Sequence, residues 1–265
     1  MTAPMCRQLV INEENSGSPY QQWEKGIRMA THDWIWVAES DDIAHPDFLQ
    51  KMNAMIEADR ELTFIYSDSV ILKEGTQENS TLPSSFKIWR NQLFQTDKWN
   101  HSYSATGISE INNALKWYCT INNASAAVFQ KSKIEKLLHR LPEFKFHGDW
   151  FLYLASLLDG KMAYLPEELN WYREHTENFS KSASLNNPRR SEYFRILDYL
   201  LKKKQVSDRK QLLKHFIKHY IGFGLWRNRA LFPAGIFWEY FSFNKRLACS
   251  VLLNIIGSKT SLKKL

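Results

Sequence analysis

Apolar positions recur along this chain in two rhythms, and their alternation predicts an α/β architecture. From Pro19 to Met29 and on to Ala30, residues Tyr20, Trp23, Ile27 and Ala30 fall at three- and four-residue steps, the spacing of an amphipathic helix. Ahead of it, Leu9-Val10-Ile11 reads as a short strand followed by a polar turn over 12–18. Residues 34–38 (WIWVA) form an apolar run of the kind buried on both faces of a parallel sheet. The run stops abruptly at Glu39-Ser40-Asp41-Asp42. Pro46, whose fixed φ suits a first helical turn, then opens a helix over 47–58 with Phe48, Met52, Met55 and Ile56 on one face. Residues 62–72 (LTFIYSDSVIL) predict the next strand, with Tyr66-Ser67-Asp68 at its working end.

Residues 73–105 are polar and irregular, and a loop that long in a compact domain is either functional or mobile. In 119–129 (CTINNASAAVF), small side chains either allow close packing or floor a cavity. Gly148 breaks the chain before an apolar helix that reaches Leu158. Asp149 falls in its first turn, where the helix dipole favours a carboxylate, and read alone it is a helix-start residue. A turn and strand over 160–166 lead into 169–175 (LNWYREH). The polar, Pro-containing stretch 181–190 divides the chain into 1–185 and 186–265. Beyond it, 191–204 and 209–220 have helical periodicity with Lys/Arg backs. Residues 225–256 are aromatic, with Trp226, Phe232, Trp238, Phe241 and Phe243, and are interrupted by Arg227, Arg229, Lys245 and Arg246.

Composition narrows the classes. A chain of 265 residues with 44% hydrophobic content can bury one substantial core. Cys6, Cys119 and Cys249 are too few and scattered for a disulfide framework or zinc site, which suits a reducing compartment. Residues 1–10 lack the order of a secretory signal, and no uncharged run of about 18 apolar residues could span a bilayer. The net charge of +7 is unevenly distributed. Residues 1–185 carry 18 Lys+Arg against 24 Asp+Glu, whereas 186–265 carry 17 against 4. The basic half predicts an anionic partner, and its aromatic residues beside basic ones suit a membrane interface. A helical appendage with a solvated basic face accounts for the same pattern. No recognised nucleic-acid motif appears, so nucleic acid is not expected as a partner.

Three carboxylates within four residues repel one another unless a cation or solvent sits among them. At the end of an α/β strand, a divalent metal carrying a phosphate fits that need, as does a plain solvated acidic turn. The acidic stretch, with SPYQQWEKGIRMA before it and PDFL after it, resembles family 2 glycosyltransferases of the GT-A fold. The resemblance runs through residues 8–180 in three separated patches: 39–42, 119–129 and 146–154.

The resemblance implies a GT-A-type, Rossmann-like, mostly parallel sheet with flanking helices, followed by a helical basic C-terminal appendage. It implies inverting transfer of a sugar from a nucleoside-diphosphate sugar to a hydroxyl of a glycan or lipid-linked acceptor, in surface polysaccharide or glycan assembly. Asp149 in G-D-W matches the family's general base. Glu39, Asp41 and Asp42 match its acidic metal element, with Mg²⁺ or Mn²⁺ as cofactor. Arg173 and His175 match a segment near the diphosphate, His175 as a further metal ligand. Asn15, Gly17 and Trp23 are expected to line the donor cleft. Asn122, Asn123, Ser125 and Trp150 are expected on the acceptor side, with 73–105 as a flap. Gly26 matches a family glycine, suggesting a close approach of helix to sheet rather than a plain helix interruption.

One expected part is missing. Family members begin with two βα units that hold the base and ribose, about 60 residues at roughly 30 per unit, and nothing before residue 8 can supply them. The chain therefore reads as N-terminally shortened. That leaves open a non-catalytic or partner-dependent homologue as the alternative to a cytoplasmic enzyme, free or peripheral on the inner face of the cytoplasmic membrane.

Overall fold

The computed structural model describes residues 8–73, 85–174, 187–221 and 234–262. Helix α1 (Pro19–Met29) is capped by the Ser18 hydroxyl, which accepts from the Tyr20 amide, and begins with a proline where no amide donor is required. Strands β1 (Trp34–Trp36) and β2 (Ile43–Ala44) bracket the acidic loop, and α2 (Phe48–Ala58) returns the chain to β3 (Leu62–Lys73). Next come α3 (Phe86–Phe94), β4 (Tyr103–Thr106) and the single turn α4 (Gly107–Glu110), which continues as a π-turn over Ile111–Leu115. Strand β5 (Ala127–Gln130) and a 3₁₀ stretch (Glu135–Glu143) precede α5 (Gly148–Leu157) and β6 (Lys161–Glu174). The C-terminal region supplies α6 (Asn187–Lys202), α7 (Arg209–Phe216), α8 (Ala234–Phe243) and α9 (Lys245–Leu262).

The α/β expectation holds, but the sheet is mixed rather than mostly parallel. Its order is β1-β5-β3-β6-β2, with β4 also on β6. Among the described residues only β3 and β6 form a parallel pair, running together from Leu62↔Lys161 to Lys73↔Glu174. The α2 crossover brings β3 back in the direction of β1, but β5 lies between them and runs against both. Strands β2 and β4 add antiparallel to the far side of β6. Strand β1 is consequently at an edge: Ile35 is buried while Trp34 and Trp36 are half-covered, so it is not a doubly buried strand. Leu9 and Ile11, read as a strand, are 78% and 82% exposed and pair with no strand among the described residues.

Alternation on β3 sends Phe64 and Tyr66 towards one face and Ile65 to the other. Helix α2 covers the second face through Phe48 and Met52; Pro46 stands one residue before its N-cap, Asp47, rather than in its first turn. Helix α5 fills the first face and is buried nearly all round. Asp68 does not sit at a working strand end. It is fully buried within β3 and ion-paired with the buried Arg90 of α3. That pair, with buried Trp99 beside it, anchors the otherwise exposed and half-buried described part of 73–105 to the core. Gly26 makes no close approach to the sheet: it lies inside the unbroken α1, and a Cβ there would meet nothing within 4 Å.

The C-terminal helices share this core. Phe151 packs edge-on against Tyr199 of α6, and Trp150 stacks on Phe216 of α7 at 5.8 Å. Phe194 stacks on Tyr240 of α8 at 4.2 Å. Buried Lys116 reaches Ser207 and Asp208 across the same seam. Trp226, Arg227, Arg229 and Phe232 lie outside the described residues.

Candidate active site

The acidic loop leaves the end of β1 and is pinned by the small-residue segment before β5. Trp36 Nε1 donates to the Ser125 carbonyl at 2.9 Å, and the Glu39 amide donates to Ser125 Oγ at 3.0 Å. The Asp42 amide closes a turn on the Glu39 carbonyl. Asp42 Oδ1 accepts from the Arg173 amide at 3.2 Å, and Arg173 Nε donates to the Asp41 carbonyl at 3.0 Å. Asn123 accepts from the Ser125 amide and donates to Asn170, whose own amide group donates to the Ile43 carbonyl. Strand β6 and the 3₁₀ turn Ala124–Ala126 with its N-cap Asn123 thus hold the loop.

Crowding and burial perturb its carboxyls. Burial, with the charges of Asp42, Asp149 and Asp41 added, pushes Glu39 up to about 8. Burial also raises Asp42, although hydrogen bonds from Ser125, Asn123 and the Arg173 amide oppose it. Asp42 Oδ2 is buried and has no hydrogen-bond partner among the described residues.

Asp149 stands opposite, in the first turn of α5. Burial raises it to about 6, against donors that include the Trp150 amide and the Tyr20 hydroxyl. The Tyr20 hydroxyl lies 3.2 Å from Asp149 Oδ1 and 3.0 Å from the Phe146 carbonyl. The Tyr20 ring lies on Gly148: a Cβ there would stand 2.5 Å from Tyr20 Cγ. Only glycine fits.

Two cavities open nearby. One of about 730 Å³ runs between α1 and β1, lined by Trp23, Gly26, Ala30, Trp34, Trp36 and, at one end, Glu39. Another, of about 670 Å³, is lined by the 12–19 loop. Trp23 therefore shares a cavity with Glu39, whereas Asn15 and Gly17 line the second one. Asn15 Oδ1 accepts from the Gly17 amide there, and Gly17 has a φ of 68°. Asn123, Ser125 and Trp150, expected to face the acceptor, are buried with protein partners; the Trp150 indole donates to the Leu115 carbonyl at 2.8 Å. Asn122 is half-buried, with Nδ2 on the Cys119 carbonyl. His175 lies outside the described residues.

A metal is implied by the family resemblance, and the donor chemistry fits a hard divalent ion. Glu39, Asp41 and Asp42 offer only oxygen ligands, and one of them is a buried oxygen without a partner. Among the described residues no three His, Cys, Asp or Glu side chains converge to hold an ion on their own.

The family model for glycosyl transferase family 2 matches residues 5–138. The chain belongs to this family. Among solved structures, it is similar to Staphylococcus aureus TarS 1-349 in complex with UDP-GlcNAc, with a TM-score of 0.58 at 11% identity. The match covers 89% of this chain and 65% of that one. The UDP complex of the same TarS fragment gives a TM-score of 0.57 at 11% identity, over 89% of this chain and 64% of that one. At this identity the likeness supports the fold, and the chain spans less than two thirds of TarS 1-349. No curated protein sequence matches.

The sequence singles out the acidic loop and Asp149 as candidates but not Tyr20, whose hydroxyl meets Asp149. Its position on the apolar face of α1 marks it as core, and nothing in the periodicity distinguishes a ring whose hydroxyl reaches a carboxylate.

Proposed function

We propose that this chain is an inverting glycosyltransferase that moves a sugar from a nucleoside-diphosphate sugar to a hydroxyl acceptor in surface polysaccharide or glycan assembly. The observation that supports this reading is a buried carboxyl, Asp149, close enough to the acidic loop for its charge to act on Glu39. At about 6, Asp149 is largely ionised at neutral pH yet basic enough to accept a proton. As the acceptor oxygen bonds to the anomeric carbon from the face opposite the diphosphate, its proton passes to Asp149 and the leaving group keeps the electron pair of the breaking C–O bond. A bound Mg²⁺ or Mn²⁺ would neutralise charge on that leaving group. Asp42, Asp41 and Glu39 would hold it, and Arg173 braces the loop through its amide and guanidinium. Asn123 and Ser125 act as supports of the loop, while Asn122 is the residue of that segment placed to meet the acceptor. TarS, bound to UDP-GlcNAc and UDP, makes a uridine donor the first to test.

Calorimetric titration with UDP and GDP, with and without Mn²⁺, tests the donor side. Manganese-dependent binding that an Asp41→Asn/Asp42→Asn double variant loses is expected. Asp149→Asn is expected to keep UDP binding and lose transfer by roughly 10²–10⁴-fold. Full activity in that variant would end the reading.

The open edge of β1 and the adjoining cavity favour a second reading, in which the site is completed by a further polypeptide. A folded chain that binds neither nucleotide would support it.

An anionic membrane surface is the proposed location of a lipid-linked acceptor. No helix among the described residues is long and apolar enough to cross a membrane. Trp238, 62% exposed, packs edge-on with Phe241, which has Lys245 Nζ 5.6 Å from its ring. Phe243 is flanked by Arg195 and Lys202. Co-sedimentation with phosphatidylglycerol vesicles but not phosphatidylcholine vesicles is expected.

A further inference from the structure

The three residues that lead into the Asp149 helix are held from two sides. From α1, the Ser18 hydroxyl donates to the Phe144 carbonyl at 2.8 Å, and the single Tyr20 hydroxyl proton is shared between the Phe146 carbonyl and Asp149 Oδ1. From α6, Glu192 accepts from the successive amides of Lys145 (2.7 Å), Phe146 (3.0 Å) and His147 (2.8 Å). Three consecutive backbone N–H groups aimed at one carboxylate form an anion-binding concavity, and each bond is charge-assisted. Glu192 is 4% exposed, so water does not compete for it. Its neighbours on α6 seal the turn: Tyr193 stacks on His147 at 4.2 Å, and Arg189 lies over Phe146 at 4.5 Å. His147 is the N-cap position of α5 but contributes no side-chain cap, so the start of that helix depends on these contacts.

We propose that Glu192 is a positioning residue for Asp149, acting through the 145–147 backbone, so that the C-terminal region completes the catalytic site. The inference rests on the reading of Asp149 as the general base. The α1 contacts fix the carbonyls of this turn and Glu192 fixes its amides; together they set where the first turn of α5 begins. Freeing one side lets Asp149 move relative to the acidic loop without unfolding α5, which stays anchored by its buried apolar side chains and by the Trp150 indole on the Leu115 carbonyl.

The test compares wild type with Glu192→Gln, which keeps the shape but sets an NH₂ group against backbone N–H donors. Glu192→Asp keeps the charge and shortens the reach. Three quantities are measured: hydrolysis of UDP-GlcNAc with water as acceptor, UDP affinity, and the titration of the Asp149 carboxyl by ¹³C NMR. In Glu192→Gln, kcat is expected to fall on the order of 10- to 100-fold, with donor KM and UDP affinity unchanged. The Asp149 midpoint is expected to fall as its surroundings open to water and the Glu192 charge is removed. Glu192→Asp is expected to lie between. An unchanged kcat, or a loss of kcat and UDP affinity in step, overturns the proposal. If wild type does not hydrolyse UDP-GlcNAc, the choice of donor or the general-base reading fails separately; an Asp149 midpoint unmoved in Glu192→Gln then overturns the positioning role by itself.

Discussion

Tyr20 on α1 and Asp149 on α5 meet at 3.2 Å between the phenol oxygen and Oδ1, tying the first helix of the chain to the candidate base. The donation opposes the burial that raises Asp149. In Tyr20→Phe, Asp149 is therefore expected to rise further above about 6, moving the acidic limb of the pH–rate profile to higher pH. A rate loss on the order of tenfold, about 1.4 kcal/mol in the barrier, is expected at neutral pH. An unshifted limb would separate Tyr20 from the chemistry.

Gly148→Ala tests the same junction by crowding it. The added methyl would lie 2.5 Å from Cγ of a ring that is itself buried, so the ring or the start of α5 must shift. Overpacking of this kind costs about 1–3 kcal/mol. Thermal melts should show that loss, with the same alkaline movement of the rate profile as in Tyr20→Phe.

The raised Glu39 links stability to pH. Its folded value of about 8 lies above its ordinary 4.5, so the folded state binds the proton more tightly. The associated stability is present in full below the ordinary value and is lost as pH rises through about 8. Without added metal, wild type is expected to lose stability across that window at up to ~1.4 kcal/mol per pH unit from this group. Glu39→Gln should flatten the curve in denaturant titrations at stepped pH. Parallel curves would refute the assignment.

Arg90 and Asp68 form a buried pair whose cation also faces the rings of Tyr66, Trp99 and Tyr164. Removing one partner leaves an uncompensated buried charge, so Arg90→Ala is expected to destabilise by about 3–5 kcal/mol. Urea unfolding measures this. A change below 1 kcal/mol, on the order of a neutral hydrogen bond, would show that Asp68 is neutral in the fold.

Much of this could be read in the residues, where local pattern and tertiary role coincide. The three- and four-residue spacing of Tyr20, Trp23 and Ile27 gave α1 because the same face that repeats is the face that packs. The acidic loop stood out because no apolar interpretation of Glu39, Asp41 and Asp42 exists. Asp149 was placed by Gly148, whose missing side chain has a tertiary cause in the Tyr20 ring. Direction and edge position were not legible: Trp34-Ile35-Trp36 has the same composition whether its neighbour is parallel or antiparallel. The 73–105 segment misled for a related reason, since a buried Arg90 and a surface arginine look alike until Asp68 is seen beside it. Glu192 was invisible because its partners are backbone amides, which every sequence has.

The seam between α5 and the C-terminal helices bears on how this protein can be divided. Trp150 and Phe151 are covered by Phe216 and Tyr199, so a chain ended at residue 185 would present those rings to water. Such a fragment would tend to self-associate, and its inactivity would report lost solubility rather than a lost substrate contact. Dissecting this protein by shortening it from the C-terminal end would thus confuse folding with recognition, whereas point changes on α6 keep the two apart.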